Sequence, residues 1–307
     1  MSMPNCDTGQ SLVMGTAAWE CCPIPAGKSW QDMGPSPAIF YKTVHGNGVY
    51  VSTTGSGTAQ VSTDGVNWVE TSSPNIYRSS LIYGNGMFIG MSQTAFATSL
   101  DGVTWTNRTP RPSVSNPGGI AYGNGRFVVV SVSGNQSAYS SDGITWTAGG
   151  TLSASQVWDG PVYGNGLFVA IGNNSAVTSP DGLLWTARIV PLGNWNKIAY
   201  NNGIFLASKW DSGGASGIIT SPDGINWTAP TTWSFNSSGW SGLAADSGLF
   251  AMTNNGSKSV VISRDGVNWE SYSLPLGNMP TVTAREGRFF ITGGLQSLFI
   301  STPTPCP

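Results

Sequence analysis

Short apolar runs alternate with polar, glycine-rich segments along nearly the whole chain, and the pattern recurs at intervals of 37 to 42 residues. In each unit one apolar run leads into a Gly-Asn-Gly turn, and a second run such as LFVAI leaves it. A polar loop, a third run such as AVTS and an Asp-Gly hairpin follow, and a Trp begins the fourth run. The hairpin needs left-handed residues, which Gly, Asn and Asp adopt readily. Each unit therefore predicts four short antiparallel strands.

Two repeated phrases mark these units. The Gly-Asn-Gly phrase occurs seven times when two degenerate copies at 246 and 286 are included, whereas Asp-Gly-x-x-Trp occurs six times. Four strands in a unit of this length are typical of a propeller blade, so we predict an all-β, seven-bladed β-propeller with four-stranded antiparallel blades. A residue pair repeated around a ring is expected to be structural. The repeated pairs are Asp64 and Trp68, Asp101 and Trp105, Asp142 and Trp146, Asp181 and Trp185, Asp223 and Trp227, and Asp265 and Trp269.

The chain ends predict how the ring closes. The C-terminal QSLFISTPTP matches the third strand of a unit and then stops, whereas AGKSWQDMGP near the N-terminus matches DGVTWTNRTP and places Trp30 at the repeated Trp position. We therefore predict that residues 28–33 complete the last blade. The expected organisation is an N-terminal arm at 1–27 followed by a propeller at 28–307. Closure of this kind removes exposed sheet edges.

The four cysteines lie near the two chain ends, outside the repeats: Cys6, Cys21, Cys22 and Cys306. Disulfides between the termini are the expected use, with a bridge from Cys306 to Cys21 or Cys22, and they imply an oxidising setting. With one His and no paired Cys-x-x-Cys spacing, we expect no metal site, and nothing indicates a cofactor. The first residues do not resemble a secretory signal. Together these features favour a virion protein that reaches the extracellular space by lysis.

Charge is sparse and limits the classes of partner. Only 9% of residues are Asp, Glu, Lys or Arg, and the formal net charge is -2. Because no basic stripe is present to neutralise phosphates, nucleic acid is not an expected partner. No apolar run is long enough to span a bilayer, so membrane insertion is not expected either.

The repeat resembles the BNR or Asp-box propellers, a family that includes sialidases and many non-catalytic bacterial and phage proteins. The family motif reads Ser-x-Asp-x-Gly-x-x-Trp, and residues 179–185 read Ser-Pro-Asp-Gly-Leu-Leu-Trp, with one residue fewer between Asp and Gly. The combination of Gly-Asn-Gly and Asp-Gly-x-x-Trp phrases is similar to repeats of phage tail and fibre proteins. The resemblance extends from about residue 28 onward and implies a propeller with a structural or adhesive role.

Function is expected where the repeats differ. Both turn phrases lie on one face of the predicted ring, which we call the turn face; the connections between blades lie on the opposite, crossing-loop face. Five Trp outside the repeat position map to one sector of the crossing-loop face: Trp158, Trp195, Trp210, Trp233 and Trp240. We predict that these rings stack on a sugar or anchor a protein partner, with Asp159, Lys197 and Asp211 as hydrogen-bonding neighbours. Alternatively, the rings fill gaps between blades.

An enzyme is the alternative function. The sialidase resemblance implies an arginine triad, and Arg78, Arg108 and Arg111 map to crossing connections as a possible anion site. The Arg-Ile-Pro stretch of that family is absent, and no Glu is placed as the partner of a nucleophilic Tyr. A generic glycosidase would instead use two carboxylates such as Asp159 and Asp211. We expect no catalysis, and a virion or tail protein that binds a host-surface glycan or receptor, or another virion protein.

Overall fold

The computed structural model describes residues 10–14, 19–23, 30–36, 38–72, 76, 80–153, 156–209, 217–230, 240–254, 259–274, 281–292 and 297–301. Within these ranges every regular element is a β-strand. None of the described segments forms a helix with the length and apolar character needed to cross a membrane.

Six sheets form a ring, and a separate two-stranded hairpin precedes them in the chain. The N-terminal strands are β1 (Gln10–Met14), β2 (Trp19–Pro23) and β3 (Trp30–Pro35). The next sheet contains β4 (Phe40–Gly46), β5 (Val49–Thr54), β6 (Ala59–Ser62) and β7 (Val69–Thr71). Then come β8 (Ser80–Gly84), β9 (Met87–Met91), β10 (Phe96–Ser99) and β11 (Thr106–Asn107). A third sheet contains β12 (Pro117–Gly123), β13 (Arg126–Ser131), β14 (Ser137–Ser140) and β15 (Thr147–Ala148).

The second half of the ring contains one five-stranded and two four-stranded sheets. The five-stranded sheet consists of β16 (Trp158–Gly164), β17 (Leu167–Ser179), β18 (Thr186–Asn201), β19 (Ile204–Lys209) and β20 (Gly217–Ser221). The next consists of β21 (Trp240–Asp246), β22 (Leu249–Asn254), β23 (Ser259–Ser263) and β24 (Glu270–Ser273). The last consists of β25 (Thr281–Arg285), β26 (Arg288–Thr292), β27 (Ser297–Ser301) and β3.

The prediction of seven separate blades is wrong, because two of the predicted units share the five-stranded sheet and the propeller has six blades. The cause is the length of β17 and β18, which contain 13 and 16 residues. Asn173 pairs with Asn194 and Ser175 pairs with Ile189, so the expected loop and the expected crossing are both extended and hydrogen-bonded. Asn174 absorbs the register shift as a bulge with φ of 53°.

The last sheet joins the two ends of the described chain. β3 pairs antiparallel with β27, with Trp30 opposite Ser301 and Asp32 opposite Phe299. An N-terminal strand therefore completes the sheet of the three C-terminal strands, as the match of AGKSWQDMGP to the repeat predicts. The ring is closed through hydrogen bonds of the backbone, which cover the edge that β27 would otherwise expose.

The innermost strands of the sheets surround the axis of the ring and contact one another in the order β4, β8, β12, β16, β18, β21, β25 and back to β4. The five-stranded sheet contributes two of them, β16 and the C-terminal half of β18. The hydrophobic core lies between neighbouring sheets. Its largest repeated members are the fully buried phenylalanines of the second strands: Phe88, Phe127, Phe168, Phe205, Phe250 and Phe289.

The Ser and Asp side chains of the Asp-Gly hairpins accept the same backbone N–H groups in all six copies, whereas the indole N–H donates to the hairpin glycine in the copies of Trp68, Trp105 and Trp227. In the copy at 62–68, Ser62 Oγ accepts the N–H of Gly65 at 2.8 Å. Asp64 Oδ1 accepts the N–H groups of Val66 and Asn67, each at 2.8 Å. The indole N–H of Trp68 donates to the Gly65 carbonyl at 3.0 Å. Because both polar side chains are occupied by their own turn, the geometry supports the structural interpretation of the repeat.

The Gly-Asn-Gly phrase joins neighbouring innermost strands on the turn face. Gly46 lies against the ring of Tyr83, and a Cβ at Gly46 would be 2.2 Å from that ring. The Tyr83 hydroxyl donates to Asn47 Oδ1 at 2.6 Å, and Asn47 Nδ2 donates to the Leu100 carbonyl at 2.7 Å. The same packing recurs at three further interfaces, so we call all four the Gly–Tyr interfaces. The other pairs are Gly84 with Tyr122, Gly123 with Tyr163, and Gly164 with Tyr200.

The remaining contacts around the ring, from β18 to β21 to β25 to β4, use polar side chains at the same positions, and we call them the polar interfaces. Asn201 replaces the first glycine and donates to the Leu249 carbonyl at 2.9 Å. Asp246 replaces it in the next copy and accepts the N–H of Gly287 at 2.6 Å. At the closure of the ring, Glu286 Oε1 lies 3.2 Å from His45 Nδ1, in place of an Asn and a Tyr.

Candidate functional site

The tryptophans that the sequence places on an exposed platform lie in the core wherever the structure describes them. Trp158, Trp195 and Trp240 expose 0%, 3% and 4% of their surface. Trp195 also donates its indole N–H to the Pro191 carbonyl at 2.7 Å, and Lys209 Nζ lies 5.8 Å from its ring. These three rings therefore fill space between strands, as in the alternative interpretation, and their faces are not available for stacking. Trp210, Trp233 and Asp211 lie outside the described residues.

The proposed arginine site is not assembled in the described part of the chain. Arg108 donates through Nε to Thr98 Oγ1 at 2.9 Å, on the outer edge of its own sheet. Arg111 is exposed beside a shallow surface recess whose walls include Phe96 and Pro117. Arg78 lies outside the described residues. A triad that would grip a substrate carboxylate is therefore not shown.

The cysteine predictions fall on residues whose side chains are not described. Cys21 and Cys22 belong to β2, where their backbones pair with Leu12 and Ser11. Cys6 and Cys306 lie outside the described residues, so the disulfides stay a prediction. Among the described residues, no three His, Cys, Asp or Glu side chains are grouped as metal ligands would be.

Charged side chains do meet at the axis of the ring, on the crossing-loop side. Asp159 at the start of β16 accepts the backbone N–H of Ile198 through Oδ2 at 2.8 Å. Its Oδ1 lies 3.5 Å from Lys197 Nζ. Two residues of the predicted site, Asp159 and Lys197, are thus brought together, although 38 positions separate them in the chain. The Asp159 carboxylate connects two innermost strands of the five-stranded sheet.

Lys42 belongs to another innermost strand, β4. Its side chain is accessible to solvent, but surrounding protein lowers its pKa by desolvation; the charge of Asp159 raises that pKa, and the charges of Lys197 and Arg285 lower it. Asp159 and Lys197 are the charged pair whose contact the structure shows on the crossing-loop side, whereas Arg285 stands at the turn-face end of β25.

The sequence contains a signal that would have found Lys42. Lys42 and Lys197 both stand six residues before the second glycine of their Gly-Asn-Gly phrases, the position that is Ser, Gly or Thr in the other copies. An alignment of the repeats at this position singles out two lysines on innermost strands. Arg285 carries no comparable signal, because it replaces the first glycine of a degenerate turn.

Exposed aliphatic side chains lie at the crossing-loop side of the five-stranded sheet. Ile189 exposes 93% of its surface, Leu192 exposes 84% and Val157 exposes 66%. Ile189 pairs with Ser175, whose hydroxyl accepts a hydrogen bond from Gln156 at 2.5 Å, so Ile189 lies close to the segment that contains Val157, and Leu192 follows three residues later in the same strand. We call Val157, Ile189 and Leu192 the apolar ridge. Strand alternation gives a partial signal, since Val157 precedes the buried Trp158 and must point the other way.

A Tyr/Glu pair of the kind used by sialidases has one structural counterpart in the described residues. The Tyr272 hydroxyl donates to Glu270 Oε2 on β24. Burial and this hydrogen bond raise the pKa of Tyr272 to about 12. A nucleophilic tyrosine needs the opposite shift, so this pair does not have the electrostatics of a sialidase nucleophile.

Neither a protein-family model nor a curated protein matches the sequence. Solved structures of β-propellers match its fold at low sequence identity. Virginiamycin B lyase from Staphylococcus aureus is 13% identical over 89% of this chain and 99% of its own, with a TM-score of 0.69. YCF48 bound to D1 peptide is 16% identical over 91% of this chain and 97% of its own, with a TM-score of 0.67. The WD40 propeller domain of Doa1 is 13% identical over 88% of this chain and 94% of its own, with a TM-score of 0.60. At these identities the likeness shows the propeller fold alone.

Proposed function

We propose that this chain is a non-catalytic propeller of a virion or tail that docks onto another protein through its crossing-loop face. The observation that carries the proposal is the apolar ridge, where Ile189 and Leu192 are 93% and 84% exposed. Exposed aliphatic side chains grouped in one part of a folded protein mark a surface that a partner covers. Asp159 follows Val157 by two residues and pairs with Lys197, and such a polar pair is typical of the rim of a protein interface.

A protein is favoured over a glycan as the partner because of which side chains are exposed. Sugar stacking uses flat aromatic rings, and the rings of Trp158, Trp195 and Trp240 are buried. Branched aliphatic side chains instead fit the apolar core of a protein interface. The solved complex of YCF48 with D1 peptide shows that a propeller with this fold takes a protein-derived ligand. The assignment to a virion or tail rests on the resemblance of the repeats to those of phage tail and fibre proteins.

The ridge is tested with a photo-reactive amino acid placed at position 189 of the full chain, in the particles or cells in which the protein assembles. We expect ultraviolet light to yield a cross-linked product that contains one other protein. The matched control carries the same amino acid at position 100, because Leu100 is 70% exposed on the turn face. Equal cross-linking from both positions, or cross-links only between copies of this chain, would contradict docking through the ridge.

The non-catalytic part of the proposal needs its own assay, since the fold also occurs in a lyase. Purified wild-type protein is incubated with sialosides and with host-surface polysaccharide, and released sugar is measured. We expect no turnover above that of a heat-denatured sample. Release of sugar that is abolished by Asp159→Asn would replace the proposal with a glycoside hydrolase.

A further inference from the structure

β18 contains a wide bulge within the apolar ridge. One residue of β17, Asn174, stands opposite four residues of β18, because the pairing register shifts at this point. We call these four, residues 190–193, the β18 bulge. Val190 at its start is 5% exposed and belongs to the core, whereas Leu192 is 84% exposed. Bulges redirect side chains, and this one turns a leucine out of the sheet.

Two hydrogen bonds and one close packing contact fix the backbone of the bulge. Asn174 Oδ1 accepts the N–H of Gly193 at 2.7 Å. The indole N–H of Trp195 donates to the Pro191 carbonyl, also at 2.7 Å. Gly193 is packed so closely that an added Cβ would lie 2.9 Å from the Trp195 ring. The exposed leucine therefore stands between two backbone positions that the surrounding side chains hold in place.

The side chain of Lys209 lies against the same bulge. Lys209 pairs with Trp195 across β19 and β18, and its Nζ lies 5.8 Å from the centroid of the indole ring. Its Cδ would be 3.2 Å from a Cβ added to Gly193, so its aliphatic stem covers the glycine next to the exposed leucine. In the described part of the chain no carboxylate oxygen lies within 4.0 Å of this ammonium group. The bulge thus combines an exposed apolar side chain with a cation that has no carboxylate partner among the described residues.

We propose that the β18 bulge is the anchor of the docking surface, and that the partner protein receives Leu192 in an apolar pocket bordered by an Asp or Glu that pairs with Lys209. This inference rests on the proposed docking function and names the chemistry of the partner's surface. An aliphatic side chain on a rigid backbone loses little conformational freedom on binding, as an interface anchor requires. The ammonium group selects a carboxylate at the rim of the pocket by charge complementarity.

The charge of the bulge favours a different protein over a second copy of this chain. A two-fold contact centred on the bulge would place the Lys209 ammonium groups of both copies near one another, and like charges at an interface oppose association. The carboxylate nearest along β16, that of Asp159, already accepts the Ile198 N–H and faces Lys197. The carboxylate that pairs with Lys209 is therefore assigned to the partner.

The test adds a second substitution to the full chain that carries the photo-reactive amino acid at position 189, in the particles or cells in which the protein assembles. Leu192→Ser is expected to lower the cross-linked fraction on the order of tenfold, as the loss of an interface anchor does. Lys209→Glu is expected to lower it at least as much, because it places a carboxylate against a carboxylate. Lys209→Arg keeps the charge and is expected to lose less than Lys209→Glu.

The matched controls change the same residue types elsewhere. Leu184→Ser removes a leucine that is 76% exposed on the turn face of the same sheet, and Arg111→Gln removes an exposed cation from another crossing connection. We expect both to cross-link as the wild type does. Equal losses in Leu184→Ser and Leu192→Ser would overturn the assignment of the anchor. Equal cross-linking of Lys209→Glu and the wild type would overturn the carboxylate.

The rigidity of the bulge is tested by Asn174→Gly. Asn174 has a φ of 53°, which glycine adopts readily, so this variant removes the acceptor of the Gly193 N–H without straining the backbone. We expect a smaller cross-linked fraction although Leu192 and Lys209 are both present. An unchanged fraction would show that the anchor does not depend on a fixed backbone and would overturn that part of the inference.

Folding is checked by thermal denaturation of each variant. Leu192→Ser alters an exposed side chain and is expected to melt with the wild type, so its loss of cross-linking cannot be assigned to unfolding. If Lys209→Glu melts earlier, Lys209→Met replaces it, because methionine keeps an aliphatic stem over Trp195; its cross-linking is expected to be weaker and less sensitive to salt than that of the wild type. Cross-linking from position 189 that is unchanged in Leu192→Ser and Lys209→Met would leave docking intact and overturn this inference alone. No cross-linking from position 189 in the otherwise wild-type chain would overturn the docking proposal itself.

Discussion

The Gly–Tyr interfaces and the polar interfaces perform the same task in one ring with different side chains. At a Gly–Tyr interface a large ring lies over a residue without a Cβ, as with Tyr163 over Gly123. At two polar interfaces, Asn201 and Asp246 replace the first glycine of the turn phrase. The residue at the tyrosine position of the neighbouring strand is then Ala245 or Ala284. A larger residue at the glycine position is therefore matched by a smaller residue at the tyrosine position. This difference shows that the paired positions, rather than the Gly-Asn-Gly letters themselves, define the contact between neighbouring strands.

The largest loss of stability is expected when a Gly–Tyr interface is changed toward a polar interface. In Gly123→Asn, the new Cβ would lie 2.0 Å from the Tyr163 ring, so the strands or the ring must move. We expect a loss of about 3 kcal/mol in the free energy of unfolding, at the upper end of overpacking effects. The double variant Gly123→Asn with Tyr163→Ala copies the Asn201–Ala245 arrangement and is expected to regain part of that loss. Chemical denaturation of the two single variants and the double variant measures the coupling.

The control for this cycle is Gly125→Asn. Gly125 has a φ of +71° and nothing within 4 Å of an added Cβ, and Asn tolerates that conformation better than other residues. We expect it to change the unfolding free energy by much less than Gly123→Asn does. If the double variant lost as much unfolding free energy as the two single variants together, the idea that the two positions compensate for each other's size would be refuted.

A smaller effect is expected from removing a polar interface. Asp246 accepts the Gly287 N–H at 2.6 Å and the Ser247 hydroxyl at 3.1 Å. Asp246→Ala leaves the Gly287 N–H without this acceptor, and we expect a loss of about 2 kcal/mol. Asp246→Asn keeps an acceptor oxygen and is expected to lose less. Thermal and urea denaturation compare the two, and equal stability of Asp246→Ala and the wild type would show that the closing part of the ring does not depend on this contact.

The repeats predict the propeller, the hairpins and the closing strand because these depend on local residue patterns. The Asp64 and Trp68 roles follow from one hairpin, and Trp30 follows from its match to the same phrase. The number of blades was mispredicted because the sequence does not show that Asn174 forms a bulge, which turns an expected loop into a continuous strand. Burial of Trp158 and the proximity of Lys197 to Asp159 depend on contacts between separate repeats, and no single repeat contains that information.

The hydroxyl of the Gly–Tyr interfaces contributes less than the packing of its ring. Tyr83 donates to Asn47 at 2.6 Å, and Tyr83→Phe removes that bond while keeping the ring over Gly46. We expect a loss of about 1 kcal/mol. Tyr122→Phe is the matched control, because the Tyr122 hydroxyl makes no hydrogen bond within the described part of the chain, and it is expected to be neutral. Equal losses in both variants would assign the effect to the ring and not to the hydrogen bond.

The smallest loss of stability per residue is expected from acidification. That loss should be similar beside the Gly–Tyr interfaces and beside the polar interfaces. The hydrogen bond from the Thr104 N–H has the largest influence on Asp101 and, against partial desolvation, lowers its pKa to about 2. At Asp265, beside the polar interfaces, desolvation acts to raise the pKa, but the hairpin hydrogen bonds from the Asn268 and Val267 N–H groups together lower it. A carboxylate with a depressed pKa stabilises the fold above its unfolded pKa, near 3.9, and that contribution is lost as pH falls through the folded value. The melting temperature is therefore expected to be level from pH 7 to about pH 5 and to fall between about pH 4 and pH 2. Asp101→Asn and Asp265→Asn should each make that fall shallower by a similar amount. A melting temperature that stays level through pH 3, or a change confined to one of the two variants, would show that the hairpins are not equivalent around the ring.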